Sequence, residues 1–453
     1  MSTRVRTLLN LAWPIVLARA TQAVIGLCDT LMVASLGEEA LAGASTGAMN
    51  TIAVTILPMG TVFIVQSFVA QLRGRGELGS VRRFAWYGLL FALLAGIGAA
   101  VLRPYVPGIL AHLDTSPGTH RAMSVYMSVR LLSVGAVIGT EALGNWYGGM
   151  GNTRLQMFSG IAAMVANVIG CYVLIMPRFG LPGWGVAGAG WASVIASWLG
   201  FMVVLVPFLM GHGYDRSLPA GRLRLREFGR MLRFGVPNGV NWLIEFSAFT
   251  VFLNVAIAHL GTTALAGMNV VMQINSIAAM PAFGLTSAGS ILVAERLGQK
   301  AYDEVWPVVR LTGLLAGGLM MGMGILYLLV PRVFLVAFAP DGMADEAFMS
   351  VGVSILALAA LWQVFDAIGM TLGDALRAAG DTTWCMVARM VVGWLLFVPL
   401  AWAAAFKMDG GVVQVVLAMV VYLAVLAAVL VWRFASGRWR NIDLVGKSEP
   451  QLL

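Results

Sequence analysis

The sequence predicts an all-α integral membrane protein of about twelve transmembrane helices, arranged as two homologous six-helix bundles around a central cavity. Three observations predict it: composition, a dozen apolar stretches of spanning length, and self-similarity between the two halves. Of 453 residues, 59% are hydrophobic and 11% charged, whereas a soluble domain runs near 45–50% apolar and about 25% charged. So few charges could not cover that apolar surface in water, so the solvent is lipid. Nucleic-acid-binding, disordered and disulfide-scaffold classes are excluded together, because each needs polar or Cys-rich composition. Cys28, Cys171 and Cys385 lie far apart in apolar runs and form no metal spacing.

The apolar stretches fall at 8–36, 46–71, 84–103, 122–149, 155–177, 186–211, 232–260, 268–294, 306–331, 347–376, 383–406 and 412–434. Each is long enough to cross as a helix, which takes about 20 residues. The first could pass for a secretory signal, but it is too long and carries Pro14, Arg19 and Asp29. Alternating segments of the kind that build an outer-membrane barrel do not occur.

If the spans alternate, one set of loops with both termini holds 21 of the 29 Lys and Arg. The opposite loops hold only Arg103, Arg121, Arg178, Arg332 and Lys407. Basic excess in short loops marks the cytoplasmic side, so both termini of this multi-pass protein are expected inside. The basic set includes Arg216 and Lys447. The longest polar interruption follows the sixth span and carries Arg222, Arg224, Arg226 and Arg230. It divides the chain into an N-terminal bundle (1–213), a cytoplasmic Arg-rich linker (214–230), a C-terminal bundle (231–434) and a polar tail (435–453). The linker also suits an anionic-lipid patch or an interfacial helix.

The halves repeat one another. Trp13-Pro14 aligns with Val236-Pro237, Leu36-Gly37 with Leu260-Gly261, Val69-Ala70-Gln71 with Val293-Ala294-Glu295, and Gly151-Asn152-Thr153 with Gly380-Asp381-Thr382. Four blocks occur in the same order with offsets drifting only from 223 to 229 residues. Six spans per half is an even number, so the repeat is parallel, the symmetry expected of an alternating-access carrier.

Three acids stand out inside spans: Asp29, Glu245 and Asp366. A carboxylate at a helix centre costs roughly 2.5–3.5 kcal/mol on insertion scales, which makes each a functional candidate. Neither Glu245 nor Asp366 has an opposite charge three or four residues away on its own helix. The alternative is an acid held protonated or paired with Arg19, Arg130 or Arg389, cations read as ties to helix carbonyls or as counter-ions. Arg19 cannot reach Asp29 along one helix, since ten residues rise about 15 Å. Unpaired carboxylates in low dielectric take up protons more readily, or bind sodium once ionised. Asn167 and Asn241 also lie in spans, where interhelical hydrogen bonding is the ordinary role. Gly185-Val186-Ala187-Gly188-Ala189-Gly190 follows no strand and reads as helix packing. Asp374 and Arg377 are expected to pair at a helix end. The four His lack zinc spacing, and Met with the aromatic residues could line a cavity for flat cations.

These residues carry a name. Asp29-Thr30 before Leu36-Gly37, the Val69-Ala70-Gln71 and Val293-Ala294-Glu295 pair, Phe234-Gly235-Val236-Pro237 leading to Glu245, and Trp362-Gln363-Val364-Phe365-Asp366 leading to Leu376-Arg377-Ala378-Ala379-Gly380-Asp381 resemble the multidrug and toxic compound extrusion family over essentially the whole chain. Within it, the chain resembles the bacterial NorM-type branch. The resemblance implies a secondary active efflux antiporter, not an enzyme, that exports small organic cations against inward H+ or Na+, needs no cofactor, and acts as a monomer in lipid without nucleic acid. It implies that Glu245 and Asp366 form a cation site, a metal site only if the coupling ion is Na+. An aromatic residue one turn before the second acid belongs to that site; here it is Trp362 where Tyr is common, which offers a cation no oxygen. It further implies that Asp29 is a proton-responsive carboxylate with Asn167 as neighbour. Cavity or supporting positions are Asn167, Trp362 and Asn241.

Two rivals are weighed against this reading. A lipid or lipid-linked oligosaccharide flippase would carry cationic residues in its cavity, whereas acids dominate here. An intramembrane prenyl transferase could bind magnesium through Asp366, Asp374 and Asp381, but those acids lie only loosely on one helix face and lack a second cluster.

Overall fold

The computed structural model describes residues 3–112, 115–177, 182–215, 217–218, 222–339, 345–408 and 410–446. Arg178, Arg216 and Lys447, with parts of the linker and tail, lie outside the described residues. Twelve helices are long and apolar enough to span: α1 (Arg4–Ala34), α2 (Glu38–Gly74), α3 (Leu78–Leu110), α4 (Pro117–Gly149), α5 (Arg154–Leu174), α6 (Gly185–Leu209), α7 (Leu225–Ile257), α8 (Thr262–Gly298), α9 (Tyr302–Leu329), α10 (Glu346–Ala379), α11 (Thr382–Phe406) and α12 (Val412–Ala435). Large apolar side chains such as Leu31, Leu329 and Leu395 remain exposed, as lipid-facing positions must.

The chain packs as two compact units, Leu17–Gly239 in one, and Met1–Val16 with Val240–Leu453 in the other. The sequence repeat divides at the linker, but the packing divides within α1 and α7, just after Pro14 and Pro237. A proline inside a helix withdraws one backbone donor and disturbs the preceding turn, which makes it a natural place for a helix to change its neighbours. In the first unit α2 packs on α4, α3 on α4, α4 on α6 and α5 on α6. In the second the same set recurs, α8 on α10, α9 on α10, α10 on α12 and α11 on α12.

The repeated glycines have a backbone reason. Gly37 (φ 106°) and Gly261 (φ 103°) precede α2 and α8, while Gly151 (φ 83°) and Gly380 (φ 88°) precede α5 and α11. These are conformations that a side chain disfavours. At the loop after α2 the residue is Gly76 (φ 78°), and its counterpart after α8 is Lys300, the one non-glycine residue with positive φ among the described residues (φ 59°).

The linker is tied to the first unit. Glu227 accepts a hydrogen bond from the Tyr87 hydroxyl at 2.9 Å and pairs with Arg83 at 3.0 Å, while the Arg224 amide donates to the Tyr87 oxygen at 2.8 Å. Nearby α2 and α7 cross closely: Asn238 donates to the Gly60 carbonyl at 2.6 Å. A Cβ on Gly239 would lie 2.2 Å from the Leu57 oxygen.

Candidate functional site

Each unit contains its own cluster of buried and half-buried polar groups, assembled from several helices. In the second unit, Glu245 of α7 forms an ion pair with Arg389 of α11. Of the alternatives open for a span acid, this is pairing with Arg389. The partner comes from a helix more than a hundred residues away, beyond what spacing along one helix can reveal. Asp366 of α10 lies within electrostatic reach of both Glu245 and Arg389, so the structure brings together the two acids singled out in the C-terminal half. Tyr422 of α12, itself buried, faces the guanidinium. Phe397 stacks on Tyr422 with ring centroids 4.9 Å apart.

Local backbone explains how these helices approach. Both helices that carry the ion pair contain a π-helical turn, Phe252–Ile257 in α7 and Val391–Phe397 in α11. The two turns meet through Phe252 and Phe397, 5.0 Å apart. A π turn adds a residue to the helix, changes which side chains face a neighbour, and recurs at functional positions. A Cβ on Gly393, inside the second turn, would meet Ala248 and Tyr422 at ordinary contact distance.

Exposure within this cluster is uneven. The Glu245 side chain is 49% exposed, whereas that of Arg389 is 15% exposed. A carboxylate deep in a span faces a bundle interior or a water-filled space, because lipid would make it too costly. Arg389 thus approaches Glu245 from within the helical wall, leaving the acid accessible. Trp362, one turn before Asp366, is fully buried and its indole N–H has no partner among the described residues. Asn241, one turn before Glu245, is buried and its side-chain oxygen has no hydrogen-bond partner among the described residues. Beside Trp362, Gln363 donates to Asn275 of α8 at 2.9 Å.

In the first unit, Asp29 of α1 accepts hydrogen bonds from the Cys171 thiol at 3.1 Å and the Ser193 hydroxyl at 3.0 Å. Asn167 donates to Ser193 at 3.1 Å, so it neighbours Asp29 through that serine rather than directly. Its carbonyl oxygen is buried without a partner among the described residues. Tyr126 of α4 lies beside Ser193 and within electrostatic reach of Asp29 and Arg130. Asp29 thus receives donors from α5 and α6.

A fourth acid sits in a span and escaped the sequence reading: Glu141 of α4. Arg19 holds it through two contacts of 3.2 and 3.4 Å, and Asn145 adds a 3.4 Å hydrogen bond. The same criterion that singles out Asp29 applies to Glu141 and could have found it. Arg19 therefore acts as a counter-ion, and so does Arg389. Asp374 pairs with Arg377 at 2.9 Å as expected, and Asp381 is held by Arg433 through 2.6 and 3.1 Å bonds. Those guanidiniums occupy two of the three acids that a magnesium-dependent transferase would need. Among the described residues no three His, Cys, Asp or Glu side chains gather as metal ligands.

Two six-helix units, each carrying a carboxylate cluster within its spans, define a polytopic membrane protein built like a transporter. The chain belongs to the MatE family, whose model matches residues 14–173 and 239–403. It is 26% identical over 99% of its length to a probable multidrug resistance protein NorM of Pseudomonas putida, covering 97% of that protein. It is 28% identical to a probable NorM of Rhizobium meliloti, covering 95% of this chain and 93% of the relative. A crystal structure of MATE in complex with MaL6 matches with a TM-score of 0.89 at 17% identity, over 97% of this chain and 98% of the other. A eukaryotic MATE transporter matches with a TM-score of 0.86 at 17% identity over 96% of both chains. At such identities the structures show a shared fold.

Proposed function

We propose that the protein is a secondary active multidrug efflux antiporter of the bacterial inner membrane, with both termini cytoplasmic, exporting organic cations by alternating access. One observation carries the reading: Glu245 presents a half-exposed carboxylate deep in α7, with a second acid, Asp366, close by. Such a group attracts a lipophilic cation, and neutralising the cluster releases it. The NorM relatives are named as probable multidrug resistance proteins, which supports drug export.

The coupling ion we propose is the proton. Sodium is a hard cation that needs several oxygen ligands. Glu245 already faces a guanidinium, and the residue one turn before Asp366 is a tryptophan, whose ring nitrogen only donates. Asp29 receives hydrogen bonds from a neutral thiol and a neutral hydroxyl, so neither donor cancels its negative charge. With the carrier open inward, ionised acids take up the organic cation; once it opens outward, an entering proton neutralises an acid and the cation leaves. The proton-loaded carrier returns. Differential affinity of the two states for proton and cation supplies the coupling.

The test is ethidium transport in everted membrane vesicles under proton and sodium gradients imposed separately, comparing the natural protein with Glu245→Gln, Asp366→Asn and Asp29→Asn. Proton-driven transport that all three variants weaken is expected. Undiminished transport by all three would remove the mechanism, and ion-independent movement of a fluorescent lipid without drug transport would favour a flippase.

A further inference from the structure

We infer that Arg389 is a resident cation that sets the charge of the Glu245–Asp366 site, so that the site has room for one positive charge per transported molecule. The inference rests on the cation-export reading and adds a specificity-determining residue to it. With both acids ionised, Glu245, Asp366 and Arg389 together carry one net negative charge; without the arginine they would carry two. Monovalent substrates match that balance, and dications overfill it.

Three features fix Arg389 in this role. Its guanidinium is paired with Glu245 and faces the buried Tyr422 on α12, so it is anchored from two helices. It is largely shielded while Glu245 is half-exposed, so an arriving cation meets the acid and not the arginine. It also sits two residues before the π-helical Val391–Phe397, a turn that packs through Phe397 on Tyr422 and Phe252. Arg389 is moreover the only charged residue in the stretch 383–406. A span that carries one cation needs a reason for it, and neutralising half of a two-acid site is such a reason.

The experiment measures binding of tetraphenylphosphonium, a monocation, and methyl viologen, a dication, to the purified full-length protein. The variants are Arg389→Gln, Arg389→Lys, Glu245→Gln and the double variant Glu245→Gln/Arg389→Gln. The natural protein and Arg389→Lys should prefer the monocation. Arg389→Gln should shift the affinity ratio towards the dication by at least about tenfold, the scale of one added unit charge nearby. Glu245→Gln leaves a neutral cluster and should weaken the monocation by at least about tenfold, and adding Arg389→Gln should restore it, because the net charge returns to one negative.

That rescue keeps the test decisive even where Arg389→Gln alone folds poorly. A flat affinity ratio across the series, or a double variant no better than Glu245→Gln, overturns the inference while leaving cation export standing. Failure of the natural protein to bind either cation overturns the functional reading itself.

Discussion

Replacing Arg19 with methionine would strand Glu141 in the middle of α4. The two side chains meet at 3.2 and 3.4 Å and are only 20% and 9% exposed. At such a separation a pair of unit charges attracts by about 5 kcal/mol when the effective dielectric is about 20. Removing one partner of a buried pair costs about 3–5 kcal/mol, because the other charge is left uncompensated. Arg19→Met should therefore destabilise the protein by about 3 kcal/mol or more. At about 2–4 °C per kcal/mol for a unit of this size, the melting midpoint should fall on the order of 10 °C. The double variant Arg19→Met/Glu141→Met removes both charges and should recover most of the loss, since apolar replacements of a buried pair are often neutral or stabilising. Thermal unfolding of detergent-solubilised protein, followed by tryptophan fluorescence, reads both. A loss under about 1 kcal/mol for Arg19→Met, the range of an exposed pair, or a double variant as unstable as the single one, would refute the reasoning.

Other outcomes follow from the same contacts. Gly239→Ala places a methyl group 2.2 Å from the Leu57 carbonyl; since backbone cannot swing aside, the variant should lose about 1–3 kcal/mol in the same melting assay. Lys300→Gly relieves a left-handed backbone and should raise stability by about 0.5–1 kcal/mol, against a loss for Gly76→Lys at the matching loop. Ser193→Ala removes one of the two side chains that donate to Asp29 among the described residues, and with it the hydroxyl that receives Asn167. It should slow exchange about tenfold in vesicle assays, the scale of a lost hydrogen bond to a charged group, whereas Cys171→Ser, which keeps a donor, should stay within about threefold.

Much of the fold was legible in the sequence because lipid imposes simple rules. Twelve apolar runs became twelve spanning helices, and the repeated Leu-Gly and Gly-Asn/Asp-Thr blocks proved to mark turns where the backbone enters the left-handed region. The candidate site was legible only in part. Glu245, Asp366 and Asp29 stand out because an isolated charge in an apolar run is conspicuous, but their partners are set by tertiary packing. Arg389 reaches Glu245 from four spans later, across helices shaped by π turns that no sequence periodicity announces. Ser193 and Cys171 look like ordinary small residues until α5 and α6 carry them to Asp29. The change of neighbours within α1 and α7 was likewise hidden, because a proline signals a local disturbance and not which helices will pack beyond it.

We propose that protonation of these carboxylates is exchanged for an organic cation. The most direct measurement uses proteoliposomes holding a trapped pH-sensitive dye and the purified protein, with tetraphenylphosphonium added as a concentration gradient and no ion gradient imposed. Flow of the cation should drive protons the opposite way, sodium should be without effect, and Asp29→Asn and Asp366→Asn should each abolish the proton signal. Cation flux without proton movement, or flux that depends on sodium alone, would contradict it.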